Sequence, residues 1–147
     1  MALTALARIP RSWRRGLACV VTLMVLFVCL APRPWVQYLL RGRTEKQVSV
    51  SKLPFFDKMV HSGIFAAFAV SWAWALPPTR SARLKVVVAT LALGGFTELM
   101  QLIPYIERDA NVPDFAADAG GGLVGLWAFT LLIPGKSSTP EGEPPGS

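Results

Sequence analysis

Six side chains of this chain have the chemistry and the spacing to build a site in apolar surroundings. They come as Asp57 and His61, Glu98 and Gln101, and Asp114 and Asp118. The separations within the pairs are four, three and four residues. On an α-helix such separations put both side chains on one face. Each pair also sits at one end of a long apolar stretch: the first opens one, the second closes one and the third opens the next. If those stretches alternate in direction, the three ends meet on one side of a bundle. Carboxylate, imidazole and amide groups in such a place need a partner, water or a function. Arg108, between the second and third pairs, is positioned to cap them, and Lys58 supplies another cation unless it turns to headgroups.

Asp57, Glu98, Asp114 and Asp118 cannot all stay ionised side by side without compensating cations. Protonation, ion pairing or a bound metal must relieve them, which leaves three chemistries open. The first is a polar network that fixes helix register. The second is a binding site in which Arg108 and the acids hold a headgroup phosphate or amine. The third is an enzyme with His61, Glu98 and Asp114 as catalytic candidates around a divalent cation. No H-E-x-x-H or cysteine-rich signature accompanies the lone His61, so no cofactor is expected, and a divalent cation stays as an alternative. Nor is there a Ser-His-Asp order; Ser62 points about 100° away from His61 on a helix. Gly120-Gly121-Gly122 lies inside an apolar stretch, whereas a phosphate loop would follow a strand and carry a Lys.

The elements that must position these residues are membrane spans. Hydrophobic residues make up 52% of the 147 residues and charged ones only 16%, with a mean hydropathy of +0.43. The apolar residues fall in blocks at 16–30, 59–76, 86–103 and 115–133, each close to the ~20 residues that span a bilayer. These blocks predict an all-α polytopic membrane protein with four transmembrane helices in a small bundle. The expected organisation is a basic cytoplasmic N-terminus over 1–15, a transmembrane domain over 16–134 and a disordered tail over 135–147, rich in Ser, Pro, Gly and Glu. Pro32, Pro77, Pro104 and Pro134 mark the expected helix ends. Trp72 and Trp74 suit a headgroup-level belt at the end of the second helix. Arg80, Arg83 and Lys85 read as the loop before the third.

The net charge of +6 reflects Lys and Arg flanking spans rather than a nucleic-acid surface, for which the chain has no folded basic face. Lys/Arg counts on the two sides of a four-span topology are nearly equal. Arg8, Arg11, Arg14 and Arg15 precede the first helix without an acid among them, and the first helix usually dominates orientation. Both termini are therefore expected in the cytoplasm, with 32–56 and 104–113 outside. No A-x-A-like site follows the first apolar run, and Val28 precedes Cys29, so that run reads as an uncleaved span. Cys19 and Cys29 lie ~15 Å apart along one helix and cannot pair.

Taken together, Asp57-Lys58-x-x-His61-x-x-x-Phe65, Glu98-x-x-Gln101, Pro104, Arg108 and Asp114-x-x-x-Asp118-x-x-Gly121-x-x-x-Gly125 resemble the VanZ-like membrane proteins. That family takes its name from a protein giving low-level resistance to the glycopeptide teicoplanin. The motif-bearing part is 57–133. Where the family pattern usually has Asn, this chain has Asp118, a potential extra negative charge. The resemblance implies a four-span protein of the bacterial cell envelope, in the cytoplasmic (inner) membrane. It brings no established reaction. With the residues, it leads to the expectation of an outward-facing polar pocket for a lipid headgroup or cell-wall precursor. The alternatives are a membrane-embedded, metal-assisted hydrolase or transferase, and a partner subunit with a purely structural network. Gly121 and Gly125, with Ala117, form a small-residue row suited to close helix packing, within the chain or between copies.

Overall fold

A computed structural model describes residues 9–32, 56–106 and 112–132, apart from the side chains of residues 56 and 57. It is all-helical, with α1 at Arg11–Leu30, α2 at Phe56–Ala75, α3 at Arg80–Gln101 and α4 at Val112–Leu132, and a 3₁₀ turn at Pro104–Ile106. At 1.5 Å per residue, helices of 20 to 22 residues match the ~30 Å hydrocarbon core.

Helix boundaries follow local chemistry. Pro10 sits at the N-cap of α1, where its missing N–H costs nothing, and α1 closes on extended Ala31 just before Pro32. The helix thus takes in Arg11, Arg14 and Arg15, which hydropathy alone places before it. α3 likewise starts earlier than its apolar block. Thr79 caps it, its hydroxyl oxygen accepting from the Ala82 N–H at 3.1 Å. Arg80, Arg83 and Lys85 are therefore the first turns of α3, not a loop. Residues 1–8 of the expected N-terminal stretch 1–15, and the expected tail 135–147, lie outside the described residues.

α1, α3 and α4 are long and apolar enough to cross a membrane. α2 has the length, but Lys58, His61, Ser62 and Ser71 lower its apolarity, and it is not among the helices that qualify. It is instead the centre of the bundle, with its most extensive interface against α4 and the next against α1. Phe65, Phe68, Ala69, Ser71 and Ala75 of α2 are buried. Phe65 and Phe68 pack with Val25 and Cys29 of α1, and Ala69 packs with Val86 of α3 and Leu126 of α4. Trp72, expected at an interface, turns inward, and its indole N–H donates to Thr22 Oγ1 at 3.0 Å.

α2 and α4 run parallel, and glycine sets their spacing. A Cβ built on Gly121 would fall 2.1 Å from the Ser62 carbonyl oxygen, and one on Gly125 2.6 Å from that of Ala66. The small-residue row of α4 thus lies on the backbone of α2 in the same chain. Gly122 faces α3, where an added Cβ would meet Thr90 Cγ2 at 2.4 Å. Gly121→Ala should accordingly destabilise the protein by roughly 1–3 kcal/mol or more, because backbone stands in the way. Gly120→Ala, with open space around it, should be neutral or stabilising by up to ~1 kcal/mol. Thermal unfolding of the two purified variants checks this; equal melting temperatures would contradict the close approach.

Candidate functional site

The α2–α4 seam carries its polar residues as rungs at one end. Lys58 Nζ lies 2.6 Å from Asp114 Oδ1, and one turn deeper His61 Nδ1 lies 2.9 Å from Asp118 Oδ1. Deeper still comes the contact of Gly121 with Ser62. Lys58 and His61 are three apart on α2; Asp114 and Asp118 are four apart on α4. Parallel helices in this register present both pairs to each other at once. Ser62 Oγ donates to the Ala117 carbonyl at 3.0 Å across the same seam.

The rungs differ in exposure. The Lys58 side chain keeps 35% of its accessible surface and that of Asp114 10%. His61 and Asp118 are enclosed, at 3% and 0%. Such a pair survives burial only with one proton shared well between imidazole and carboxylate. α3 closes the site from the third side. A Cβ on Gly94 would touch Asp118 Cβ and Phe115 Cδ2, each at 3.4 Å, so a larger residue would press on the carboxylate. Thr90 opposite Gly122 and Gly94 opposite Asp118 set an antiparallel register that brings Glu98, a turn further on, level with Asp114. Glu98 is half-buried, and neither it nor Lys58, His61 or Asp118 is without a partner.

Gln101 is buried but turns elsewhere. Its Nε2 donates to the Cys29 carbonyl at 3.1 Å. That oxygen is among the last carbonyls of α1, which have no intrahelical donor, so Gln101 ties α3 to the end of α1. Arg108 and the side chain of Asp57 lie outside the described residues. The cation facing Asp114 is Lys58, which sequence spacing leaves undecided between the site and the headgroups. Its three-residue offset from His61 was the available signal, being as good a helical match as Asp57 with His61.

Chemically, the cluster holds half of a base–orienter arrangement. Asp118 fixes the His61 ring through Nδ1, as a carboxylate orients a general base. The neighbouring hydroxyl of Ser62 is committed to Ala117, so it supplies no nucleophile. Among the described residues, no three His, Cys, Asp or Glu side chains are grouped to hold a metal ion. Cavities line the far end of the bundle, the α3–α4 groove and the junction of α1 with the 3₁₀ turn, and His61, Asp114 and Asp118 line none of these three. In comparisons with protein-family models, characterised proteins and solved structures, nothing matches this chain.

The buried rung makes a quantitative expectation. Asp118→Ala should cost about 3–5 kcal/mol of stability, because it leaves His61 enclosed without its acceptor. Asp118→Asn should cost much less, since an amide oxygen can still accept from Nδ1–H. A double-mutant cycle with His61→Ala should show coupling well above ~0.5 kcal/mol. Additive losses in thermal unfolding would mean that the two side chains do not act as a pair.

Proposed function

We propose that this chain is a VanZ-like integral membrane protein of the bacterial cell envelope. In this reading it has four spans in the cytoplasmic membrane, with both termini in the cytoplasm. It binds the polar headgroup of a lipid or lipid-linked cell-wall precursor at the bundle end where Lys58 meets Asp114. One observation carries the reading: an ion pair at the rim, with its ammonium one-third exposed, stands above a sealed His61–Asp118 pair. A headgroup phosphate can take the ammonium, and a headgroup amine the carboxylate, in charge-assisted hydrogen bonds. Binding there would mask or reposition an envelope component, the kind of role that the glycopeptide-resistance resemblance implies. α2 serves as the fourth span because its polar face is covered by α4 rather than by lipid, where such groups are tolerated.

The enclosure of His61 and Asp118 supports a second reading, in which the whole network is structural and the protein serves as a partner subunit. A hydrolase or transferase has less support, since the hydroxyl beside His61 is already bonded across the seam.

Lys58→Gln separates binding from structure. Native mass spectrometry of protein extracted from bacterial membranes should show a retained lipid that Lys58→Gln loses about fivefold, the effect of one basic residue on an anionic headgroup. Its melting temperature should fall less than that of Asp118→Ala, because the Lys58 ammonium reaches solvent while Asp118 and His61 are sealed. Identical lipid retention by both proteins would remove the binding reading.

The topology is tested by cysteine labelling. In a background with Cys19 and Cys29 replaced by Ala, a cysteine at position 49 should react with an impermeant maleimide on intact cells. Labelling only after membrane disruption would reverse the orientation.

A further inference from the structure

Charge is segregated along the bundle. The described carboxylates of Glu98, Asp114 and Asp118 lie at or near one end. The first turns of α1 and α3 bring Arg11, Arg14, Arg15, Arg80, Arg83 and Lys85 to the other, with no acid among the described residues there. Two contacts establish that these turns share an end. Arg14 Nη1 donates to the Trp74 carbonyl at 3.0 Å, close to where α2 stops. A cavity of about 60 Å³ joins Ala73 and Pro77 at the end of α2, Arg83 of α3, and Phe129 and Thr130 of α4.

The cations of this end differ in what they do. Arg14 is committed, with its guanidinium also 5.7 Å from the centroid of the Trp74 ring. Arg83 is exposed and lines the cavity, whose volume is enough for several waters or the oxygens of one phosphate group. Around it, the outward faces of α3 and α4 are apolar: Leu84, Val88, Leu131 and Leu132 are each more than half exposed. A basic side chain over a small cleft, flanked by uncovered leucine and valine, matches a molecule that carries a phosphate and hydrocarbon chains together.

We infer that this end holds a site for the phosphodiester headgroup of an anionic lipid. The Arg83 guanidinium takes the phosphate oxygens in a forked pair. Arg80 and Lys85 add attraction at longer range, and the acyl chains lie along Leu84, Val88 and Leu131. The site is at the opposite end from Lys58 and Asp114 and does not depend on what binds there.

The full chain in nanodiscs of phosphatidylcholine doped with phosphatidylglycerol provides the test, read as the ratio of the two lipids retained in native mass spectrometry. Wild type should enrich phosphatidylglycerol, and Arg83→Gln should cut that enrichment about fivefold. Arg83→Lys should keep part of it. Arg15→Gln, which removes an exposed cation of the same end that does not line the cavity, should change it less. If Arg83→Gln does not fold, Thr130→Leu, which fills the cavity without touching charge, should lower the enrichment in its place. No enrichment in wild type would overturn the site. So would equal losses for Arg83→Gln and Arg15→Gln, which would reduce it to general surface charge. Displacement of the lipid by inorganic phosphate alone would also overturn it, marking a free-anion site.

Discussion

The bundle depends on how closely two parallel backbones approach. Helices in a lipid surrounding gain little from burying apolar side chains, because lipid is as apolar as they are; close packing and interhelical hydrogen bonds must hold them. α4 meets this demand by presenting Gly121 and Gly125 to the carbonyls of Ser62 and Ala66, where even one methyl group would collide. At that separation the short side chains above the glycines can reach across. Asp114 and Asp118 each have a single methylene, one fewer than Glu, and both span the gap to α2. A wider seam would leave the same residues facing each other through unfilled space.

The polar rungs then define what the seam can tolerate. Charge in the interior is costly alone and acceptable when matched, and each α4 acid described has a basic group of α2 opposite it. Sliding one helix by a turn would separate both pairs together and drive Gly121 off Ser62. Register is thus over-determined, by shape below and by charge above. α3 adds the third wall through Gly94, where an added methyl group would already be in van der Waals contact with Asp118.

Much of this was legible in the residues. Apolar blocks broken by proline locate all four helices, and the four-residue spacing of Asp114 and Asp118 correctly puts them on one face. Helix starts were less legible. Arginine is a good helix former, but hydropathy scores it as a break, so α1 and α3 begin earlier than their apolar runs suggest. Partner identity was harder still. Spacing treats Asp57 and Lys58 as equally good companions of His61, and only the rotation of α2 against α4 selects Lys58 as the partner of Asp114. Gln101 shows the same limit. Its spacing groups it with Glu98, while its amide is used by the end of α1, whose unsatisfied carbonyl is invisible from the sequence of α3.

The pairing of α2 with α4, rather than with its neighbour in the chain, has a consequence for biogenesis. The partners of Lys58 and His61 follow them by 56 and 57 residues. During synthesis, α2 leaves the ribosome carrying Lys58 and His61 on a helix that falls short of the apolarity of the other three as a span, with the acids of α4 not yet made. Its ammonium and imidazole must be carried by water, headgroups or the insertion machinery until α3 has turned back and α4 has arrived. In the four-span reading proposed above, the last helix therefore completes the insertion of the second. A chain truncated before α4 would present to quality control not a smaller bundle but a helix with its charges uncovered.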